Sequence, residues 1–83
     1  MVTVRFPASL RPLAGERLVV TEPVATVGEL LMALARSTPG LAERLDDPLF
    51  NIAVNDELLL HNVERHPVAD GDIVEIVPTM AGG

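Results

Sequence analysis

Thr26-Val27-Gly28-Glu29-Leu30-Leu31-Met32-Ala33-Leu34-Ala35-Arg36-Ser37 is the stretch on which the fold turns. Thr26 and Glu29 stand three apart, the spacing of a capping box: the threonine hydroxyl is available to the Glu29 backbone N–H, and the carboxylate reaches back. Val27, Leu30, Leu31 and Leu34 then follow at i, i+3, i+4 and i+7, which lays them along one face of a helix and fits no strand. Pro39 disfavours helical backbone at Thr38, so the helix is predicted to end near Ser37. Its apolar stripe needs a partner, and the flanking sequence supplies strands.

Toward the N-terminus, Val2, Val4 and Phe6 alternate with Thr3 and Arg5, the period of a half-buried strand, and Pro7 ends the pattern. Residues 8–15 read as a loop around Pro12 and Gly15. Residues 16–21 read as the returning strand of a hairpin, with Leu18 and Val20 on the side of Val4. Toward the C-terminus, 40–45 fits one short helical turn and Asp46-Asp47-Pro48 a turn. Phe50 to Val54 is a third strand, Asn55-Asp56 a tight turn, and 57–60 a short fourth strand. Asp70-Gly71-Asp72 is a further turn before a last strand over 73–77. In that strand Val74 and Ile76 point one way, Ile73, Glu75 and Val77 the other, so both faces are mostly apolar and a central position is expected. The order is β-β-α-β-β-β. The predicted class is α+β, a mixed sheet of four to five strands with one main helix packed on one face. Residues 1–78 are expected to form the domain and 79–83 a free tail.

With 83 residues the chain is sized for one domain. No apolar run approaches the roughly 20 residues that span a bilayer, and no basic and apolar leader opens the sequence, so a cytoplasmic protein, monomeric when free, is expected. The absence of cysteine excludes disulfides, thiolate metal sites and a cysteine nucleophile. A net charge of −6 argues against nucleic acid and anionic membrane as partners, since both need a basic face. All six basic residues are arginine. Arginine bias in a GC-rich genome accounts for this. A functional reading is that a chain with an activated carboxyl gains by lacking ε-amines that attack it.

Conventional catalytic groupings are poorly supported. Ser9 and Ser37 have no triad pattern, and His61 and His66, five apart in strand and loop, lack helical ligand spacing. They read as exposed loop histidines, with no metal expected. Asp46 with Asp47, and Asp70 with Asp72, are explained by turn chemistry. The remaining feature is the ending Gly82-Gly83 on a short tail just after the final strand. Without a Cβ, such a terminus can enter a narrow channel and present its carboxylate with little obstruction.

The chain resembles the ubiquitin-like sulfur carriers, the group of the molybdopterin synthase small subunit and the thiamine sulfur carrier. The resemblance runs from Val2-Thr3-Val4-Arg5-Phe6 through the helix to Ala69-Asp70-Gly71-Asp72-Ile73-Val74 and Val77-Pro78-Thr79-Met80-Ala81-Gly82-Gly83. Leu10-Arg11-Pro12, Glu43-Arg44-Leu45 with Asp47-Pro48, and Val54-Asn55-Asp56-Glu57 look most like the carrier of thiocarboxylate-dependent cysteine biosynthesis. Pro78-Thr79 stands where many molybdopterin-type members have Pro-Pro. The resemblance implies a β-grasp fold and a recyclable co-substrate with no catalytic residue and no bound cofactor. ATP and a sulfur donor would be used by partner enzymes. An E1-like adenylating enzyme would activate Gly83, sulfur transfer would give a thiocarboxylate, and a sulfur-accepting biosynthetic enzyme would receive it. Met80, Ala81 and Gly82 would lie in the partner's active site. Docking is expected on the sheet face opposite the helix, where alternation turns Arg5, Pro7, Val77 and at least one of Leu58, Leu59 and Leu60 outward. By resemblance the docking residues are Arg11, Leu58 and Val77. The alternatives are a protein modifier joined through Gly83 to lysines, a permanent small subunit of molybdopterin synthase, and an interaction domain with an incidental Gly-Gly end.

Overall fold

The computed structural model describes residues 1–45 and 50–79. The predicted turn at Asp46-Asp47-Pro48 and the tail residues Met80, Ala81, Gly82 and Gly83 lie outside them.

The first hairpin pairs β1 (Val2–Arg5) with β2 (Arg17–Val20), antiparallel, in the register Val2 to Val20 and Val4 to Leu18. Leu18 and Val20 therefore share the side of Val4, as the alternation predicts. Residues 8–15 are a correction to the expected loop: a 3₁₀ turn, Ala8–Leu10, runs into a short helix α1, Arg11–Ala14. Pro12 sits in its first turn, where no N–H is needed, and Leu10 and Ala14 are buried. Gly15, at φ 82°, closes the segment with a backbone that side chains resist.

Helix α2, Val27–Ser37, has the predicted ends. The Thr26 hydroxyl accepts the Glu29 N–H at 3.2 Å, and Glu29 Oε1 accepts the Ala25 N–H at 2.8 Å, one residue earlier than in an ideal capping box. Thr38 is already extended, consistent with the proline that follows. Val27, Leu30, Ala33 and Leu34 are buried, while Leu31 only borders the core. Helix α3 covers Leu41–Leu45 and buries Leu41 completely.

Strands β3 (Phe50–Val54) and β4 (Glu57–Leu59) form the second hairpin. Asn55 and Asp56 both have positive φ, 49° and 70°, so a two-residue turn matches the twist of the strands it joins. A 3₁₀ turn, Val63–Arg65, packs beside α2, and β5, Ile73–Pro78, closes the chain one residue later than expected.

Five strands make one sheet in the order β2-β1-β5-β3-β4. Strand β5 is central, parallel to β1 and antiparallel to β3. Val2, Val4, Phe6, Val74 and Ile76 form one buried cluster with the α2 stripe. Burying each large side chain of this kind contributes roughly 1.5–3 kcal/mol. Among the described residues no polar or charged side chain belongs to the buried class, so nothing offsets that burial with an unpaired charge. No described helix is long and apolar enough to cross a membrane.

Candidate functional site

Because β1 and β5 are parallel neighbours, both run to the same end of the sheet. Val77 pairs with Asn51 and Pro78 with Phe50, so the last strand stays in register up to Pro78. Thr79 is half-buried, and its Oγ1 is shielded from solvent with no hydrogen-bond partner among the described residues. The last described residue, Thr79, thus follows directly on the central strand of the fold.

The three residues expected to dock a partner occupy two places. Val77 and Leu58 lie on the sheet face that carries no helix. Leu58 pairs with Ala53, Ala53 with Glu75, and Val77 follows Glu75 by two along β5. Leu58 is 46% exposed and Val77 half-buried, while Leu59 between Leu58 and Leu60 turns into the core. Arg11 is at the end of β1, where its Nε donates to the Phe6 carbonyl at 3.4 Å. Phe6 is one residue past the Arg5 to Glu75 pair, so Arg11 sits at the sheet end from which β5 departs.

The pairings order the open face into rows. One runs Arg17, Arg5, Glu75, Ala53 and Leu58, and its neighbour, away from the tail, runs Val19, Thr3 and Ile73. Ala53 is only 6% exposed although it stands outside the core cluster, because it is a methyl group between the longer Glu75 and Leu58. Val19 and Ile73 are about half exposed, at 51% and 47%. These two and Arg17 were not among the expected docking residues. The alternation in β5 already turned Ile73 to the side of Val77, and the hairpin register adds Arg17 and Val19 to the same face.

Nothing in the described residues builds a conventional catalytic centre. No three histidine, cysteine or acidic side chains there come together as a metal site. His61 is exposed in a bend, and His66 serves the fold through its carbonyl, which accepts the Val27 N–H at 2.9 Å. Asp70 pairs with the Met1 amine, and Asp72 belongs to a turn network with Asn55. A hollow of about 360 Å³ between Leu31, Met32, Ala35, Leu45 and Glu64 is open and mostly apolar, without the convergent polar groups of a substrate pocket.

The ThiS family model matches residues 4–83. The chain is 37% identical over 91 residues to the sulfur carrier protein CysO of Mycobacterium tuberculosis, covering 99% of this chain and 98% of that protein. It is 32% identical to small archaeal modifier protein 3 of Haloferax volcanii, with 95% of each covered. Among solved structures, a chain of the BexX/CysO complex of Amycolatopsis orientalis superposes with a TM-score of 0.85 at 31% identity over 100% of both chains. The match extends to the β-grasp arrangement of sheet and helix, as the sequence led one to expect.

Proposed function

The chain belongs to the ThiS family and is a homologue of the sulfur carrier CysO, and from this premise we propose that Gly83 is the group on which sulfur is carried. The observation that supports this reading best is that the family match runs to residue 83 itself, through the Gly-Gly ending. A Gly83 carboxylate oxygen attacks the α-phosphorus of ATP in an E1-like partner, pyrophosphate leaves, and the acyl adenylate forms. A hydrosulfide then attacks the acyl carbon and AMP leaves, which yields a thiocarboxylate. In the acceptor enzyme the terminal sulfur attacks an electrophilic carbon of the acceptor and displaces its leaving group, and hydrolysis of the resulting thioester releases the product thiol and returns the Gly83 carboxylate. The partners supply catalysis, and this chain acts as a recyclable co-substrate in the cytoplasm.

Met80, Ala81 and Gly82 thread the partner's active site, and Leu58, Val77 and Arg11 hold the domain outside it. The likeness to CysO favours a cysteine-forming acceptor. Intact-mass measurement after incubation with the adenylating enzyme of the same organism, ATP and sulfide tests the reading. Replacement of one oxygen by sulfur is expected in the full chain and in no chain lacking Gly83. Thiocarboxylate on the truncated chain would overturn it.

A second reading, attachment of Gly83 to target lysines, is favoured by the 32% identity to an archaeal modifier protein. Lysine-linked adducts in the native host, in place of the sulfur-for-oxygen mass change, would identify it. Chains built on lysines of this sequence are excluded in either case, because it contains none.

A further inference from the structure

Arg5 and Arg17 stand directly opposite each other on the antiparallel β1–β2 pair, both exposed, on the sheet face that carries no helix. Residues so paired have Cβ atoms about 4.5–5.5 Å apart, and like charges there destabilise the sheet. The same-face neighbours of Arg17 are Val19 on its own strand and Thr3 diagonally on β1, neither acidic. β2 is an edge strand, so no further strand brings a carboxylate to its other side. Glu75 lies beyond Arg5, on β5. Among the described residues neither arginine takes part in an ion pair, whereas Arg36 pairs with Glu22 at 2.7 Å. A chain with 12 acidic and six basic residues thus places two of its cations side by side, with Glu75 next to Arg5 as the acidic neighbour in their row and none next to Arg17. They border the exposed apolar Val19 and Ile73.

We propose that the Arg5–Arg17 pair is the electrostatic part of the docking surface and receives a carboxylate-bearing stretch of the activating enzyme. The inference rests on the carrier reading above. Protein carboxylates suit the pair better than a nucleic acid does. A charge of −6 repels an extended polyanion, whereas a few side-chain carboxylates feel mainly the charges within the roughly 8 Å screening length. A local explanation exists for one of the two residues: a charged side chain on an edge strand discourages strand addition. Arg17→Glu separates the explanations, because it keeps a charge on the edge and turns the like-charge pair into an opposite-charge one.

The free Arg17→Glu protein is therefore expected to melt at a higher temperature than the parent. In ATP–pyrophosphate exchange with the adenylating enzyme of the same organism, its KM is expected to rise roughly tenfold at low salt with kcat unchanged, and the difference to shrink as salt is added. Arg65→Glu makes the same charge change at an exposed position in the turn beside α2, on the other layer, and is expected to keep the parental KM. A parental KM for Arg17→Glu, or an equal rise for Arg65→Glu, would overturn the inference. If the parent chain supports no exchange at all, the carrier reading falls and this inference falls with it.

Discussion

Asn55 Nδ2 donates to Asp72 Oδ1 at 3.0 Å while Asn55 Oδ1 accepts the Ile73 N–H at 2.9 Å, so one side chain in the β3–β4 turn fastens the start of the central strand. The Asn55 backbone adds a bond from its N–H to the Ile73 carbonyl at 2.8 Å. Asn55 can do this because asparagine tolerates the left-handed conformation, φ 49°, that the turn imposes. The staple sits at the start of β5, at the opposite end of that strand from Pro78.

Asn55→Ala is expected to lose about 2 kcal/mol in urea denaturation, from two side-chain hydrogen bonds and the left-handed backbone together. Asn55→Gly keeps the backbone freedom and should lose less. Equal losses would show that the positive φ contributes nothing. Neither variant should change the kcat of adenylation, because Gly83 is chemically untouched.

Asp72 gives this staple a pH dependence. The Asn55 hydrogen bond, and then the Ala69 N–H at 2.8 Å, hold its carboxyl below the ordinary aspartate value, with a smaller pull from His66. A pKa lowered by folding contributes stability that is fully present above the unfolded value, about 3.9, and is lost as pH falls through the folded value. Thermal melts of the parent and of Asp72→Asn should differ at neutral pH and converge below pH about 4. A difference that persists unchanged into stronger acid would remove the ionised carboxylate from the account.

The parts of this fold that were legible in sequence are those where one periodicity dominates. Thr26, Glu29 and the stripe from Val27 to Leu34 define a helix with both ends marked, and the apolar character of both β5 faces points to its central place. Residues 8–15 were misread because Pro12 and Gly15 signal a break, while the burial that makes Leu10 and Ala14 helical is tertiary. The Gly-Gly ending was singled out because glycine has a direct steric meaning at a terminus, and it lies outside the described residues. The charge pattern of the open face was not, since Arg5 and Arg17 are 12 positions apart and become neighbours only through the hairpin register.

Gly82→Val is expected to slow adenylation severely and to leave the melting temperature unchanged. A β-branched side chain narrows backbone freedom and adds bulk where a channel must close around the chain. The last described member of the core cluster is Ile76, six positions before Gly82 in the sequence, so a change at Gly82 is expected to leave the melting temperature alone. Parental adenylation kinetics for Gly82→Val would show that the channel is wide and that the glycines serve another purpose.

Leu58 and Val77 share the open face but differ in what they do for the fold, and the difference makes a paired test possible. Leu58 is exposed on a three-residue edge strand, so Leu58→Asp should alter stability by about 0.5 kcal/mol or less. Val77 is half-buried in the central strand, two residues from Glu75 on the same face. Val77→Asp therefore adds a like-charge neighbour as well as desolvation and should cost about 1–2 kcal/mol. If both residues meet the activating enzyme, both variants raise the KM for this chain by at least roughly tenfold despite their unequal effects on folding, since each inserts a charge into an apolar contact. Met32→Asp places the same charge on an exposed residue of α2, on the other layer, and should leave KM unchanged. A KM that follows the loss of stability, large for Val77→Asp and absent for Leu58→Asp, would reduce Val77 to a packing residue. Parental values for both would move the docking site off this face.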